Sequence, residues 1–323
     1  MEFIKKTIIE KINSYNKISL FFHEVPDFDA LGACYGLKRF IKDIAPEKEV
    51  KIIGLDIIDD FFSKGFFEFD HTHVGNSFIS QSLGIILDTA NEQRIWTNRH
   101  RYCKELIRID HHPQVESIAN IEWIDPSYPA TCQMVAELLF DWNSKYVLAP
   151  TAMYLYAGIV TDTGRFLHSN TNPTTLTIAG KLLNTGFNRQ SINDALYLRN
   201  YKQLKFDSYV ISKIVFLKNK KFAYAVLGKK SFDRYDIDVR MSMVQILNNI
   251  EGVEVWMSCY YDKTKKSWRG SLRSRELPIN QIAEKHNGGG HKLAAGFTLK
   301  NKREIRQIKK EVIQYLQQVQ KVY

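Results

Sequence analysis

The sequence predicts an α/β protein: an N-terminal parallel-sheet domain with helices on both faces, then a smaller C-terminal α+β domain. Three observations predict it. Short apolar segments alternate with segments of helical spacing through the N-terminal part, the pattern of a parallel sheet with crossover helices. That alternation stops near residue 190, and strand-like alternation returns after residue 213 without it. Charge changes at the same place: residues 1–212 hold 22 Lys and Arg against 25 Asp and Glu, whereas residues 213–323 hold 23 against 10.

The first domain is expected over residues 1–189. Its strands are ISLFF (Ile18 to Phe22), VKIIGLD (Val50 to Asp56), LGIILD (Leu83 to Asp88), LIRID (Leu106 to Asp110) and IEWID (Ile121 to Asp125). Helices are expected over LGACYGLKRFIKDI, ATCQMVAELLFDW and TAMYLYAGIV, and over NPTTLTIAGKLLNTG, where Pro173 suits the first turn and Gly186 the residue past the end. Residues 190–212 read as a helical connector. Residues 213–323 then give strands KKFAYAVLG, VEVWMSCYYD and KSWRGSLRS and a helical tail.

A chain of 323 residues, 44% hydrophobic, is long enough for two domains with sizeable cores. No apolar run approaches the ~18 residues that span a membrane. The charged N-terminus MEFIKKTIIEKINSYNK has no signal-peptide core, so a cytoplasmic protein is expected. The four cysteines form no CxxC pair and read as reduced thiols. A Lys-rich composition explains a basic chain but not the asymmetry. A mildly acidic part beside a strongly basic one fits holding cations and holding an anionic ligand.

Four segments deliver Asp or His to the carboxyl ends of strands or helices, where open α/β sheets bind ligands. His23, Asp27 and Asp29 follow ISLFF; Asp88 ends LGIILD; Asp110, His111 and His112 end LIRID; Asp162 ends YLYAGIV. Each alone reads equally well as a cap or a turn. Together they gather carboxylates that repel, which cations offset. Mixed carboxylate and imidazole donors suit Mn²⁺ or a related divalent ion better than the thiolate sites of structural zinc.

HxxxPDxDA, a strand ending in Asp, the triplet Asp110-His111-His112, TDTG and GGGHKLAAG (Gly288 to Gly296) stand in that order. The sequence thereby resembles the DHH phosphoesterase superfamily over essentially the whole chain, and its length resembles the NrnA-type nanoRNase/pAp phosphatase branch. The resemblance implies a phosphoesterase holding two Mn²⁺, with Mg²⁺ or Co²⁺ as other candidates. It implies that His23 and Asp27 hold one ion, that Asp29, His111 and Asp162 hold the other, and that Asp88 bridges. It gives His112 a phosphate-contacting or proton-donating role, with Asp110 orienting its neighbours. In the second domain it implies substrate contacts by Arg273, Gly289, Gly290 and His291.

The implied substrates are short RNA oligonucleotides, cleaved to mononucleotides, and pAp, dephosphorylated to AMP. Cyclic or linear dinucleotides, and single-stranded DNA in a RecJ-like exonuclease, are alternatives. A binding module with an inactive metal site is disfavoured by the complete donor set. No membrane partner is expected; a homodimer is one assembly the resemblance implies. One departure stands out: the family's glycine between the two aspartates is Phe28, whose ring is expected either to pack on a neighbouring loop or to narrow the site's mouth. His71 and His73 read as a loop feature, Lys263, Lys265 and Lys266 as a solvated turn, and the aromatic run Asp59 to Asp70 as packing rather than a base-stacking edge.

Overall fold

A computed structural model describes residues 2–57, 65–217, 219–237 and 243–320. The chain divides into two compact units, one up to Leu198 and one from Arg199 onward. The first contains, in order, α1 (Glu2–Ser14), β1 (Lys17–Phe21), α2 (Phe28–Ile44), β2 (Glu49–Ile52), α3 (Asn76–Ile79), β3 (Leu83–Leu87), β4 (Glu105–Asp110), β5 (Ile121–Ile124), α4 (Thr131–Asn143), α5 (Ala149–Asp162), α6 (Pro173–Leu183) and α7 (Arg189–Tyr197). Its five strands run parallel in the order β2-β1-β3-β4-β5. The order reverses between β1 and β3, so a crevice is expected at their carboxyl ends.

Alternation along the strands sorts the side chains. Ile18, Leu20, Leu83, Ile85, Leu87, Ile107 and Ile109 bury one face with Leu31 and Leu37 of α2, Val135 and Leu139 of α4 and Leu155 and Ile159 of α5. Each such burial contributes roughly 1.5–3 kcal/mol before entropy is counted. Phe21 and Ile86 bury the other face with Ile53, Ile79 and Ile95, under α3 and short 3-10 turns. Helices α2 and α5 approach closely because Gly158 leaves room; a Cβ there would lie 2.9 Å from the Asp29 Cα. That contact brings Asp162, at the end of α5, beside the first turn of α2.

Phe28 opens α2, and the residue is 6% exposed. It packs on Phe66 and Phe67 at centroid distances of 5.4 and 5.3 Å. The ring therefore packs on a neighbouring loop. Phe67 also meets Tyr35 and stacks on Tyr154. The described part of the aromatic run is thus packing, while residues 58–64 lie outside the described residues. His71 and His73 are loop residues whose Nδ1 atoms donate to the Leu55 carbonyl and the Asp56 carboxylate.

The second unit contains α8 (Tyr201–Ile211), β6 (Val215–Leu217), β7 (Phe222–Leu227), β8 (Val255–Asp262), β9 (Ser267–Ser274), α9 (Asn280–Glu284), β10 (Gly289–His291), β11 (Ala294–Leu299) and α10 (Glu304–Gln320). Its mixed sheet runs β10-β11-β9-β8-β7-β6, with β7 and β8 parallel and the other pairs antiparallel. Ile305, Ile308, Val312 and Leu316 of α10 cover Trp268, Leu272 and Phe297. Phe206 and Val210 of α8 cover Ala223 and Ala225. The stretch read as a helical connector holds most of α7, in the first unit, and α8, in the second.

The end of the glycine run forms a strand: Gly289, Gly290 and His291 pair with Gly296, Ala295 and Ala294. Gly290 has φ +142, and a Cβ there would lie 2.5 Å from the Ala294 carbonyl oxygen. Gly289 is different, because a Cβ there meets nothing within 4 Å. Gly290→Ala is expected to lower stability by about 1–3 kcal/mol, while Gly289→Ala leaves it nearly unchanged. Urea unfolding of both variants checks this; equal loss in both would mean that the hairpin is packed differently.

Candidate metal centre

Local chain geometry fixes each acidic group before any cation is considered. Asp27 is the N-cap of α2, and its Oδ1 accepts the backbone N–H groups of Asp29 and Ala30 at 3.0 Å each. Its Oδ2 is turned instead to His23 Nε2, 3.7 Å away. His23 is held by an antiparallel bridge to Ile95, flanked by the Trp96 N–H donating to the Phe22 carbonyl. Asp29 is fully buried. Its two oxygens accept the N–H groups of Thr131 and Cys132, at 2.7 and 2.8 Å. Helix α4 begins at Ala130 without a capping side chain, so Asp29 satisfies its first turn from another helix.

Asp88 follows β3 in the left-handed region, φ 56. Asp tolerates that conformation better than most residues, at a cost of order 1 kcal/mol. Its Oδ2 lies 3.4 Å from His23 Nε2, and its Oδ1 lies 3.4 Å from His111 Nε2 and 3.6 Å from His112 Nδ1. The Thr131 hydroxyl donates to the same Oδ1 at 3.1 Å. His111 directs Nδ1 to the Tyr128 carbonyl at 3.3 Å, leaving Nε2 toward Asp88 and toward Asp162, 3.6 Å away. At the end of β4, Asp110 is fully buried, accepting from His112 Nδ1 at 2.8 Å and from Arg108 at 2.6 Å.

The ligand atoms of His23, Asp27 and Asp88 lie within 4.8 Å of one another, as do those of Asp29, His111 and Asp162, and those of Asp88, His111 and His112. Asp88 is common to two groups and His111 to two. Burial first, then repulsion from the neighbouring carboxylates, pushes Asp29 and Asp162 well above the usual carboxylate range. Burial opposes a charged His23 ring, but hydrogen bonds to Asp27 and Asp88 outweigh it and raise its pKa to about 10. Burial likewise opposes ionised Asp110, but His112 and Arg108 hold it below its usual value. Crowded oxygens and imidazoles whose charge is uncompensated fit divalent cations. Thiolates are absent from these groups; the buried Cys132 donates its S–H to the Asp29 carbonyl at 3.2 Å.

The remaining sequence-predicted residues belong to the second unit. Arg273, Ala294 and His291 stand in one row across β9, β11 and β10. The Arg273 guanidinium donates to the carbonyls of Leu272 and Ala295, at 2.8 and 3.4 Å, and has no carboxylate partner among the described residues. Arg275 instead spans the carbonyls of Val253 and Ile250, and Arg269 lies 4.0 Å from Asp262. Sequence reasoning missed Thr131, Cys132 and Arg108. The signals were a helix start without a capping residue and a charge inside a buried strand.

A parallel sheet whose switch point gathers carboxylates and imidazoles around one shared aspartate defines a metal-dependent hydrolase. The comparisons agree on the kind. Residues 17–159 match the DHH family N-terminal domain, and residues 219–318 match the DHHA1 domain. The Bacillus subtilis bifunctional oligoribonuclease and PAP phosphatase NrnA is 30% identical over 92% of this chain and 93% of its own. The Mycoplasma genitalium uncharacterized protein MG371 is 41% identical over 93% and 92%. An exopolyphosphatase-related protein from Bacteroides fragilis, 23% identical, has the same fold with TM-score 0.90 over 99% of this chain and 98% of its own. The chain belongs to the DHH phosphoesterase superfamily and is an NrnA-like hydrolytic enzyme.

Asp88→Ala is expected to abolish hydrolysis and to leave at most one tightly held Mn²⁺, read by titration calorimetry; two tightly held ions would refute its shared role. Thr131→Val removes only the hydroxyl on Asp88 and is expected to weaken Mn²⁺ binding about tenfold, with Thr131→Ser close to wild type. Equal affinities in Val and Ser variants would show that the hydroxyl is idle.

Proposed function

We propose that this protein is a phosphoesterase of short nucleotides, hydrolysing short RNA oligonucleotides to mononucleotides and removing the 3′-phosphate of pAp. The observation that carries this reading is Asp88, whose two oxygens face the two donor groups. His23 and Asp27 would hold one ion, Asp29, His111 and Asp162 the other, with Asp88 between, and Mn²⁺ is the ion the donor chemistry favours. Such a pair supplies an acidified water and neutralises phosphoryl charge. The chain's own part is positional. Asp29 and Asp88 are held by N–H and O–H donors, so the donor set is preorganised. His112, steadied by Asp110, would contact the phosphoryl group or deliver a proton to the leaving oxygen.

In the second unit, Arg273 would grip a terminal phosphate, because among the described residues its guanidinium has carbonyl partners alone. Gly289, with space where a Cβ would stand, Gly290 and His291 would let backbone approach the substrate. No described helix is long and apolar enough to cross a membrane, and we place the enzyme in the cytoplasm, with a homodimer as the assembly to test.

A second reading is hydrolysis of linear or cyclic dinucleotides. Mycoplasma genitalium has both an NrnA, 32% identical to this chain, and MG371, 41% identical. By identity this chain is nearer MG371 than that NrnA.

Product analysis with Mn²⁺ on pAp, RNA dimers to pentamers, an RNA of about 24 nucleotides and cyclic di-AMP decides between them. Activity is expected on dimers to pentamers and to fall steeply at the long RNA, with binding that depends only modestly on salt because few phosphates are neutralised. Arg273→Ala should raise KM with metals retained. Preference for cyclic di-AMP establishes the second reading; rapid, strongly salt-dependent degradation of the long RNA overturns both.

A further inference from the structure

Arg108 is a fully buried side chain in β4. Ile107 and Ile109 on either side face the helices, so Arg108 and Asp110 share the opposite face of the sheet. A guanidinium there loses its hydration, and well-packed apolar side chains often replace buried ion pairs without loss of stability. Its Nε is even left buried without a partner among the described residues. Packing alone therefore does not explain why an arginine stands at this position.

Its contacts point to a different task. One terminal nitrogen donates to Asp110 Oδ2 at 2.6 Å and to the Ala90 carbonyl at 2.8 Å. The other donates to the Glu116 carbonyl at 3.1 Å and lies 3.8 Å from Glu122 Oε1. The guanidinium thus joins the segment just after Asp88 to the loop just after His112. The free choice left to Asp110 is rotation of its carboxylate, and Arg108 removes it by fixing Oδ2. Oδ1 is then committed to the His112 backbone N–H, at 3.1 Å, and to His112 Nδ1, at 2.8 Å.

We infer that Arg108 is a positioning residue for the hydrolytic reaction: it locks the plane of the Asp110 carboxylate and, through it, the orientation and tautomer of the His112 ring. A planar fork does this where a point charge does so only in part. The kinetic consequence rests on the phosphoesterase reading proposed above; the ring tautomer does not.

The test compares wild type, Arg108→Met and Arg108→Lys, with folding checked by circular dichroism. Mn²⁺ titration should give unchanged stoichiometry and Kd within about threefold. On the substrate that wild type cleaves best, kcat should fall about 10²-fold in R108M and about tenfold in R108K, with KM little changed. In protein carrying labelled histidine and diamagnetic Mg²⁺, the His112 Nδ1–H resonance should shift or broaden in R108M and be partly restored in R108K. Should R108M not fold, R108K carries the same comparison against wild type. Wild-type kcat in a folded variant, a loss of kcat that follows loss of metal, or an unchanged His112 resonance overturns the inference. A wild type inactive on every nucleotide overturns the functional reading instead, and the resonance still decides the role of Arg108.

Discussion

Repulsion among Asp27, Asp29, Asp88 and Asp162 is the constraint around which the first unit is arranged. Carboxylates gathered at one sheet rim, most of them out of water, would ordinarily protonate or push the rim apart. The fold meets that cost with donors already present in its backbone. The first turn of α2 takes one oxygen of Asp27, and the first turn of α4 takes both oxygens of Asp29. These helix starts bring the favourable end of their dipoles to the same place. The imidazoles of His23 and His111 face the remaining oxygens of Asp88. What these donors leave uncompensated is the attraction for divalent cations.

Capping and metal binding are usually weighed as rival explanations for an aspartate before a helix. At Asp27 there is room for both, because a carboxylate has two oxygens and each has its own geometry. Oδ1 stays with the N–H groups of α2, so Oδ2 has little freedom and remains toward His23. The same division recurs at Asp110, with one oxygen for Arg108 and one for His112. Rigidity of the donor set thus comes from doubly used carboxylates. That is cheaper in chain entropy than ordering a separate loop for each ligand.

The parallel sheet was legible because buried strands read as short apolar runs, and four of its rim segments end in Asp or His. What was hidden depends on partners far along the chain. Asp29 accepts the Thr131 N–H from 102 residues away, and no local pattern announces it. Arg108 was visible as a charge between isoleucines, but its meaning depends on Ala90 and Glu116, which only the fold brings near. The glycine run depends on the fold in a different way. Glycines favour loops by propensity, yet here they admit the close pairing of β10 with β11.

Phe28 bears on how the surroundings of the donor groups can change while the groups themselves stay in place. A phenylalanine between two aspartates of the donor set need not disturb them, since helical geometry turns its ring away from both. With 6% of the residue exposed, it cannot form much of a mouth; its surface is spent on Phe66 and Phe67. Phe67 in turn lies against Tyr35 and Tyr154, so the loop is tied to α2 and α5, the two helices that carry Asp29 and Asp162. A change from glycine to phenylalanine at this position therefore acts on the placement of the loop rather than on the donors. The donor groups can stay in place while the loop beside them changes.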